Sequence, residues 1–363
     1  MKQASLYFTA PRCVEIREKN LSFPSGREVL VKTLFSAISP GSELLVYRGL
    51  CPDDLPLDET IPSLKGRAGF PTKYGYSVVG RVISCGENAP PEWEGRLVFC
   101  FHPHESHFLA DPQELHPLPP DVSPEEALFL PNLETAVNFM MDGRPMLGER
   151  VVVFGQGIVG LLTTALLAEH PLARLITLDR QPLRRSFSLM AGADTSLDSA
   201  EPGAITALAG QLKSSVDREG ADLVYELSGS PEALEQSLAV TGFSGRIIIG
   251  SWYGQKAAHL SLGGRFHRSR IRLISSQVSS ISPELTGRWT KSRRLEVAWS
   301  LLRKVDPIRF VTHRYPFDRA AEAYAALDRD PGDCVQVILT YGEGCRTAGP
   351  LRPADGRPPW AIS

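Results

Sequence analysis

Three stretches have residue types and spacings that could do chemistry. The first is Gly155-Gln156-Gly157-Ile158-Val159-Gly160, directly after the apolar run Val151-Val152-Val153-Phe154. Gly155 permits a tight turn, Gly157 leaves room for a pyrophosphate to approach the backbone, and Gly160 lets a helix pack close to a strand. A helix opening there would offer free N–H groups and its positive dipole end to phosphates. A second apolar strand, Arg174 to Leu178, ends in Asp179, about 20 residues beyond the turn. A carboxylate at that place can accept both hydroxyls of an adenosine ribose. Strand, turn, helix and acid together give the glycines a context that a lone match lacks.

The second stretch is Phe101-His102-Pro103-His104-Glu105-Ser106-His107-Phe108, which holds three of the chain's eight histidines and a carboxylate. It could form a metal site, supply an acid/base such as His102, or hold structural histidines. If extended, His102 and His104 share one face and Glu105 and His107 the other, so a three-histidine cage on this loop is awkward. The third is Gly263-Gly264-Arg265-Phe266-His267-Arg268-Ser269-Arg270-Ile271-Arg272, with Lys291, Arg293 and Arg294 following. In a chain of formal charge −2, these cations could recognise an anionic substrate or cofactor phosphates, or solvate an oligomer edge.

The elements that must position these groups follow from the hydrophobic pattern. Residues 1–130 read as β-rich and loop-rich, with strands at Val29–Leu34 and Ser77–Ile83 and a Pro-rich surface loop from Leu50 to Thr72. Ser123-Pro124-Glu125-Glu126 reads as a helix start, with Ser as N-cap and Pro at the first helical position. From Val151 to Ile281 strands alternate with helices, the pattern of a doubly wound parallel sheet, with later strands at Leu223–Leu227, Arg246–Gly250 and Ile271–Ile274. Helices near Arg294–Lys304 and Arg319–Leu327 and a strand at Cys334–Thr340 close the chain, and residues 344–363 read as a disordered tail. The 363 residues suffice for about two domains. The near-neutral charge argues against nucleic acid or an anionic membrane as main partner. No run approaches the ~20 apolar residues of a membrane span, and the N-terminus lacks the apolar core of a signal peptide. The scattered cysteines (Cys13, Cys51, Cys85, Cys100, Cys334, Cys345) contain no CxxC pair, against a structural zinc lobe or disulfide framework and in keeping with a reducing cytoplasm.

This order of elements resembles the medium-chain dehydrogenase/reductase superfamily over about residues 1–342. Gly26–Lys32, Gly75–Val82, Leu118–Ala127, Gly148–Phe154 with its glycine turn, and Ala191-Gly192-Ala193-Asp194 carry the likeness. Within the superfamily the chain looks like the zinc-type alcohol dehydrogenase-like proteins akin to bacteriochlorophyllide-type dehydrogenases, on the segment Ser39 to Gly49. The resemblance implies a β-rich GroES-like catalytic domain (1–133 and 285–343) and a Rossmann dinucleotide-binding domain (134–284). It also implies a homodimer formed through the Rossmann-domain edge. The chain departs from the family where the catalytic zinc is held. Pro40-Gly41-Ser42-Glu43 stands in place of Cys-x-Thr/Ser-Asp, and Gly75-Tyr76-Ser77 in place of Gly-His-Glu. Proline cannot ligate zinc, and tyrosine and serine replace imidazole and carboxylate poorly, so no catalytic zinc is expected.

Without the metal, side chains must supply the base for a hydroxyl proton and the donor for a developing oxyanion. Ser42 and Tyr76 fall where relatives keep a relay hydroxyl and a metal ligand, which puts them toward the nicotinamide, with Tyr76 as donor and Glu43 beside it. A packed ring with a satisfied hydroxyl is the competing reading of Tyr76. Glu134, with Asn132 and Asn138, precedes the Rossmann domain where relatives place substrate-facing groups; a helix-terminal acid is the alternative. Asp179 favours NAD, while Arg180, Arg184 and Arg185 keep NADP open. Ser228-Gly229-Ser230 should flank adenine or ribose, and Gly250-Ser251-Trp252-Tyr253-Gly254 the nicotinamide. Gln336 stands where some relatives place a basic residue on the pyrophosphate. The expected function is zinc-independent hydride transfer between NAD(P) and the alcohol or carbonyl of a polar or anionic metabolite. An NADPH-dependent quinone or enone reductase and a non-catalytic dinucleotide-binding protein are the alternatives.

Overall fold

The computed structural model describes residues 1–342 except 53–55, 59, 68 and 214–218; the expected tail lies outside the described residues. The chain divides into two compact units, one built from Met1–Pro131 and the described chain from Leu302 on, the other from Asn132–Leu301.

The first unit opens with the hairpin β1 (Lys2–Ala10) and β2 (Cys13–Asn20). Next come β3 (Val29–Ile38), α1 (Pro40–Tyr47), β4 (Val78–Cys85), β5 (Leu97–Cys100), β6 (His107–Ala110), β7 (Leu115–Pro117) and the one-turn α2 (Pro124–Ala127). At α2, Ser123 Oγ accepts from Glu126 N while Glu126 accepts from Ser123 N, the reciprocal cap that the Ser-Pro-Glu-Glu run predicts. The Pro-rich stretch is more than a surface loop: Leu57 and Leu64 are buried, and Leu57 N donates to Gly66 O at 2.9 Å. Its leucines join the apolar cluster of Leu6, Phe8, Leu44 and Tyr324.

The second unit starts on α3 (Leu130–Gly143), which begins two residues before the boundary. It then alternates: β8 (Arg150–Phe154), α4 (Ile158–Ala168), β9 (Arg174–Asp179), α5 (Pro182–Met190), β10 (Thr195–Asp198), α6 (Ala204–Gln211), β11 (Ala221–Glu226), α7 (Pro231–Val240), β12 (Thr241–Ile249) and β13 (Arg272–Ser275). All pair in parallel, in the order β10-β9-β8-β11-β12-β13. Val151, Val152 and Val153 are wholly buried, as a central parallel strand covered on both faces requires. The order reverses between β8 and β11, which makes that crevice the topological switch point where such sheets bind ligands. α8 (Lys291–Val305) carries the chain across the boundary.

Back in the first unit, β14 (Val311–Pro316), α9 (Ala320–Arg329) and β15 (Gln336–Thr340) complete a seven-stranded sheet, β14-β15-β3-β4-β5-β7 with β6 on β3. β15 enters antiparallel to β3, so a segment 300 residues downstream is locked to the N-terminal strands.

One buried carboxylate pins this unit's loops. Glu105 accepts from Gln3 Nε2 (3.0 Å), Ser5 Oγ (2.7 Å), Lys73 Nζ (2.6 Å) and His102 Nε2 (2.8 Å). Residues 102–105 are thus not extended: the chain there brings His102 and Glu105 together. Burial alone would push the Glu105 carboxyl up, but His102 and Lys73 outweigh it and hold it at about 2, against an ordinary 4.5. A lowered folded-state value stabilises the fold fully above pH 4.5, and the contribution fades as pH falls toward about 2. Urea unfolding at pH 6 should show Glu105→Gln less stable than wild type by about 3 kcal/mol, with the gap closing by about pH 2.

Candidate functional site

The glycine turn sits at the carboxyl end of β8, beside the switch point. Two of its three glycines are explained by the protein itself. Gly155 has φ +90°, and a Cβ there would strike the Ser228 backbone at 2.6 Å; a Cβ on Gly160 would lie 2.1 Å from Gly155 O. Gly157 differs. Its φ of −67° suits any residue, and a Cβ built on it meets nothing within 4 Å. The fold does not need a glycine at this position, whereas a group resting against the start of α4 does. Ile158 and Val159 open that helix, whose first N–H groups have no intrahelical acceptor.

Asp179 ends β9 and is 8% exposed. Its two oxygens accept from Gln156 N (2.7 Å) and Gln181 N (2.8 Å), which fixes the carboxylate against the turn. The Gln156 side chain points inward, donating to Gly155 O and accepting from Thr164 Oγ1 at 3.0 Å, so it is a brace of the turn. Of the neighbouring arginines, Arg184 lies 4.0 Å from the Asp179 carboxylate, and the other two have partners of their own. Arg185 donates to the carbonyls of Asp179 and Arg180 and pairs with Asp198 at 2.9 Å, while Arg180 reaches Glu232 at 3.2 Å.

Ser228, Gly229, Gly250, Ser251 and Trp252 all lie just past the ends of β11 and β12. Gly229 N donates to Ser251 Oγ at 2.9 Å, joining the two loops, and Trp252 is 39% exposed. Under them lies Glu226, wholly buried, which accepts from Ser228 N (2.8 Å) and Oγ and from Tyr253 OH (2.5 Å). Sequence reasoning missed Glu226; its signal was a single acid at the end of an apolar strand.

The basic stretch 263–272 falls on the other side of the sheet. It precedes β13, and Arg265 Nε donates to the carbonyl of Thr241, the first residue of β12, so it marks the amino edge, opposite the glycine turn. Arg294 is also no solvated cation: it is wholly buried and paired with Glu134 at 2.9 Å. Arg293 stacks on Trp289. The expectation that these arginines meet cofactor phosphates or an anionic substrate is corrected accordingly. Glu134 belongs with Arg294 in the second unit.

In the first unit, Ser42 Oγ and Tyr76 OH are hydrogen-bonded at 2.8 Å. Burial raises the Tyr76 phenol, the Ser39 and Ser42 hydroxyls pull it down, and the Glu43 charge raises it again. The net rise keeps its proton on at neutral pH, so Tyr76 at rest is a hydrogen-bond donor rather than a base. Glu43, next to Ser42 in the chain, makes its hydrogen bonds to other groups. It is wholly buried and accepts from Ser39 N (2.7 Å), His104 Nε2 (3.0 Å) and Tyr324 OH. His104 continues through Nδ1 to Ser36 Oγ (2.7 Å), which meets Tyr341 OH (2.9 Å). Of the three loop histidines, then, His104 forms the buried network, while His102 stacks on Phe108 and holds Glu105. No spacing rule announces a contact between residues 43, 104 and 324.

The positions of the missing zinc ligands are otherwise occupied. Pro40 starts α1, Tyr76 holds Ser42, and Ser77 Oγ donates to Leu128 O at 2.6 Å. Among the described residues no three His, Cys, Asp or Glu side chains are grouped to hold a metal ion. The donor set does not fit zinc. Gln336 is buried on Ile38 O (2.8 Å).

Residues 159–292 match the family model of the zinc-binding dehydrogenases. The D-guloside 3-dehydrogenase of Escherichia coli (strain K12) is 24% identical, covering 93% of this chain and 99% of its own. The sorbitol dehydrogenase of Halalkalibacterium halodurans is 25% identical over 90% of this chain and 95% of its own. A short chain alcohol dehydrogenase (rspB) from E. coli CFT073, solved with the cofactor NADH, superposes with a TM-score of 0.75 at 17% identity, covering 93% and 99% of the two chains. Over nearly its whole length the chain is similar to these dehydrogenases, and it has the mixed α/β fold of the solved structure. No helix among the described residues is long and apolar enough to cross a membrane.

Because Gly157 is open, a larger side chain there should spare the fold and block the ligand. Gly157→Val should leave the thermal midpoint of the ligand-free protein within a few degrees. NADH affinity, measured by calorimetric titration, should fall by at least about tenfold.

Proposed function

We propose that this alcohol dehydrogenase-like oxidoreductase transfers hydride between a nicotinamide dinucleotide and the secondary alcohol or carbonyl of a polar metabolite, without a protein-held zinc ion. The reading is carried by the Ser42–Tyr76 hydrogen bond at 2.8 Å, at the two positions where the resemblance places a relay hydroxyl and a metal ligand. A dinucleotide, when bound, supplies or accepts the hydride. The start of α4 binds its pyrophosphate, the Gly157 cradle makes the room, and Asp179 accepts from its ribose hydroxyls. Asp179, with Arg180 and Arg185 tied to protein groups, favours NAD over NADP.

Tyr76 takes the part of the Lewis acid. In carbonyl reduction its phenol gives its proton to the substrate oxygen as hydride reaches the carbon, and Ser42 restores that proton from water. In alcohol oxidation the same transfers run backwards, the hydroxyl proton leaving through the phenolate and Ser42 to water. Buried Glu43, anchored on Ser39 N, His104 and Tyr324, holds α1 and therefore Ser42 in place. His102 acts structurally through Glu105, and Glu134 through Arg294. The sugar- and polyol-oxidising relatives support a secondary alcohol as substrate, and we expect a homodimer in the cytoplasm. NADPH oxidation by quinones or enones without NAD reduction by alcohols would favour the reductase reading. Cofactor binding with no turnover of either class would favour a non-catalytic role.

Purified enzyme should contain substoichiometric zinc by elemental analysis and keep its NAD-dependent alcohol oxidation in chelator. Tyr76→Phe should lower kcat by about 10²-fold or more with KM for the dinucleotide and thermal midpoint little changed. A zinc-dependent activity, or a fully active Tyr76→Phe enzyme, would refute the assignment.

A further inference from the structure

Arg294 is the largest wholly buried side chain in the protein. It sits in the first turn of α8 and spends its guanidinium on two targets. Toward α3 it donates Nε and Nη2 to Glu134 Oε1 (3.1 and 2.9 Å) and Nη1 to Asn138 Oδ1 (2.6 Å). Toward the segment leaving β13 it donates Nη1 to Ser280 O (3.0 Å) and Nη2 to Val278 O. The same segment is gripped at its start. Ser276 Oγ donates to Asp142 (2.5 Å) and accepts from Asn138 Nδ2 (3.0 Å), and Asn138 Nδ2 also reaches Asp142 (3.0 Å). Residues 276–280 are thus hung on α3 by one cation and two polar side chains.

Burying a guanidinium completely is costly, and an apolar residue of similar volume would serve stability as well. What the arginine adds is geometry: a planar fork that fixes two carbonyls of an irregular segment relative to a helix. The place of that segment gives this geometry a use. It leaves the carboxyl end of β13, on the same sheet edge as the glycine turn. In a doubly wound sheet the half with the glycine turn and the ribose carboxylate, here β8 to β10, takes the adenosine end. The other mononucleotide then falls over β11 to β13.

We propose that Arg294 is a positioning residue for the nicotinamide end of the cofactor, acting by holding segment 276–280 against α3. The inference rests on the dinucleotide reading of the second unit given above. A nicotinamide ring presents a carboxamide, which needs backbone donors and acceptors at fixed places. Segment 276–280 lies on that edge, and a single buried guanidinium ties down two of its carbonyls.

The test compares two probes by calorimetric titration: NADH, and ADP-ribose, which has the adenosine and both phosphates but no nicotinamide. In wild type both should bind. Arg294→Lys keeps the charge but loses the fork, and should weaken NADH by about tenfold while ADP-ribose stays within about twofold. Glu134→Gln keeps the shape and an acceptor; it should shift the same ratio in the same direction by less, and it serves if the lysine variant does not fold. Equal weakening of both probes, or no change in either, would overturn the role of Arg294 and leave the dinucleotide reading standing. Failure of wild type to bind either probe would overturn both.

Discussion

A parallel sheet ends all its strands at one edge, and the candidate chemistry of the second unit depends on that constraint. Phe154, Asp179, Glu226, Ile249 and Ser275 are consecutive strand ends on it. Backbone at strand ends has lost its ladder partners, so its N–H and C=O groups must be met by side chains, by helix starts or by a ligand. Asp179 and Glu226 answer this need from within the protein, each accepting backbone N–H groups of the turn that follows or adjoins it. The start of α4 has no side-chain cap of this kind.

Among the buried polar groups, three charged ones hold irregular backbone in place. Glu105 collects four donors from β1, the Pro-rich stretch and its own loop; Glu43 collects three from α1, the His104 loop and α9; Arg294 ties α3 to the segment after β13. Loops cannot be specified by apolar patterning, because they lack a repeating face to bury. A desolvated charge with a full set of partners specifies them instead, since any other arrangement leaves it unpaired.

The sequence was most legible where structure is local. The run of valines, the glycine turn, the Ser-Pro-Glu-Glu cap and the alternation up to β13 all rest on residues a few positions apart, and the parallel sheet follows from them. Strand ends drifted: β12 begins at Thr241 rather than Arg246, because Gly242 and Gly245 hid its first half from a hydrophobicity reading. Long-range partners were not legible. Arg294 looked like one more surface cation among Lys291 and Arg293, and only the fold brings it to Glu134, 160 residues away. The loop histidines were left between a metal, an acid/base and a structural role; their partners, Glu105 for His102 and Glu43 and Ser36 for His104, lie in part far away in the chain and had no local signal.

The ties of Asp179 bear on how such a protein could change its cofactor. The carboxylate proposed to disfavour an extra phosphate on the ribose is also the acceptor for two peptide N–H groups, one in the glycine turn and one just before α5. Replacing it with a neutral or basic residue would admit the phosphate and, in the same stroke, strand both donors. A lineage shifting preference along this route must first acquire another acceptor for them, so selectivity here is coupled to the integrity of the fold and resists change by a single step.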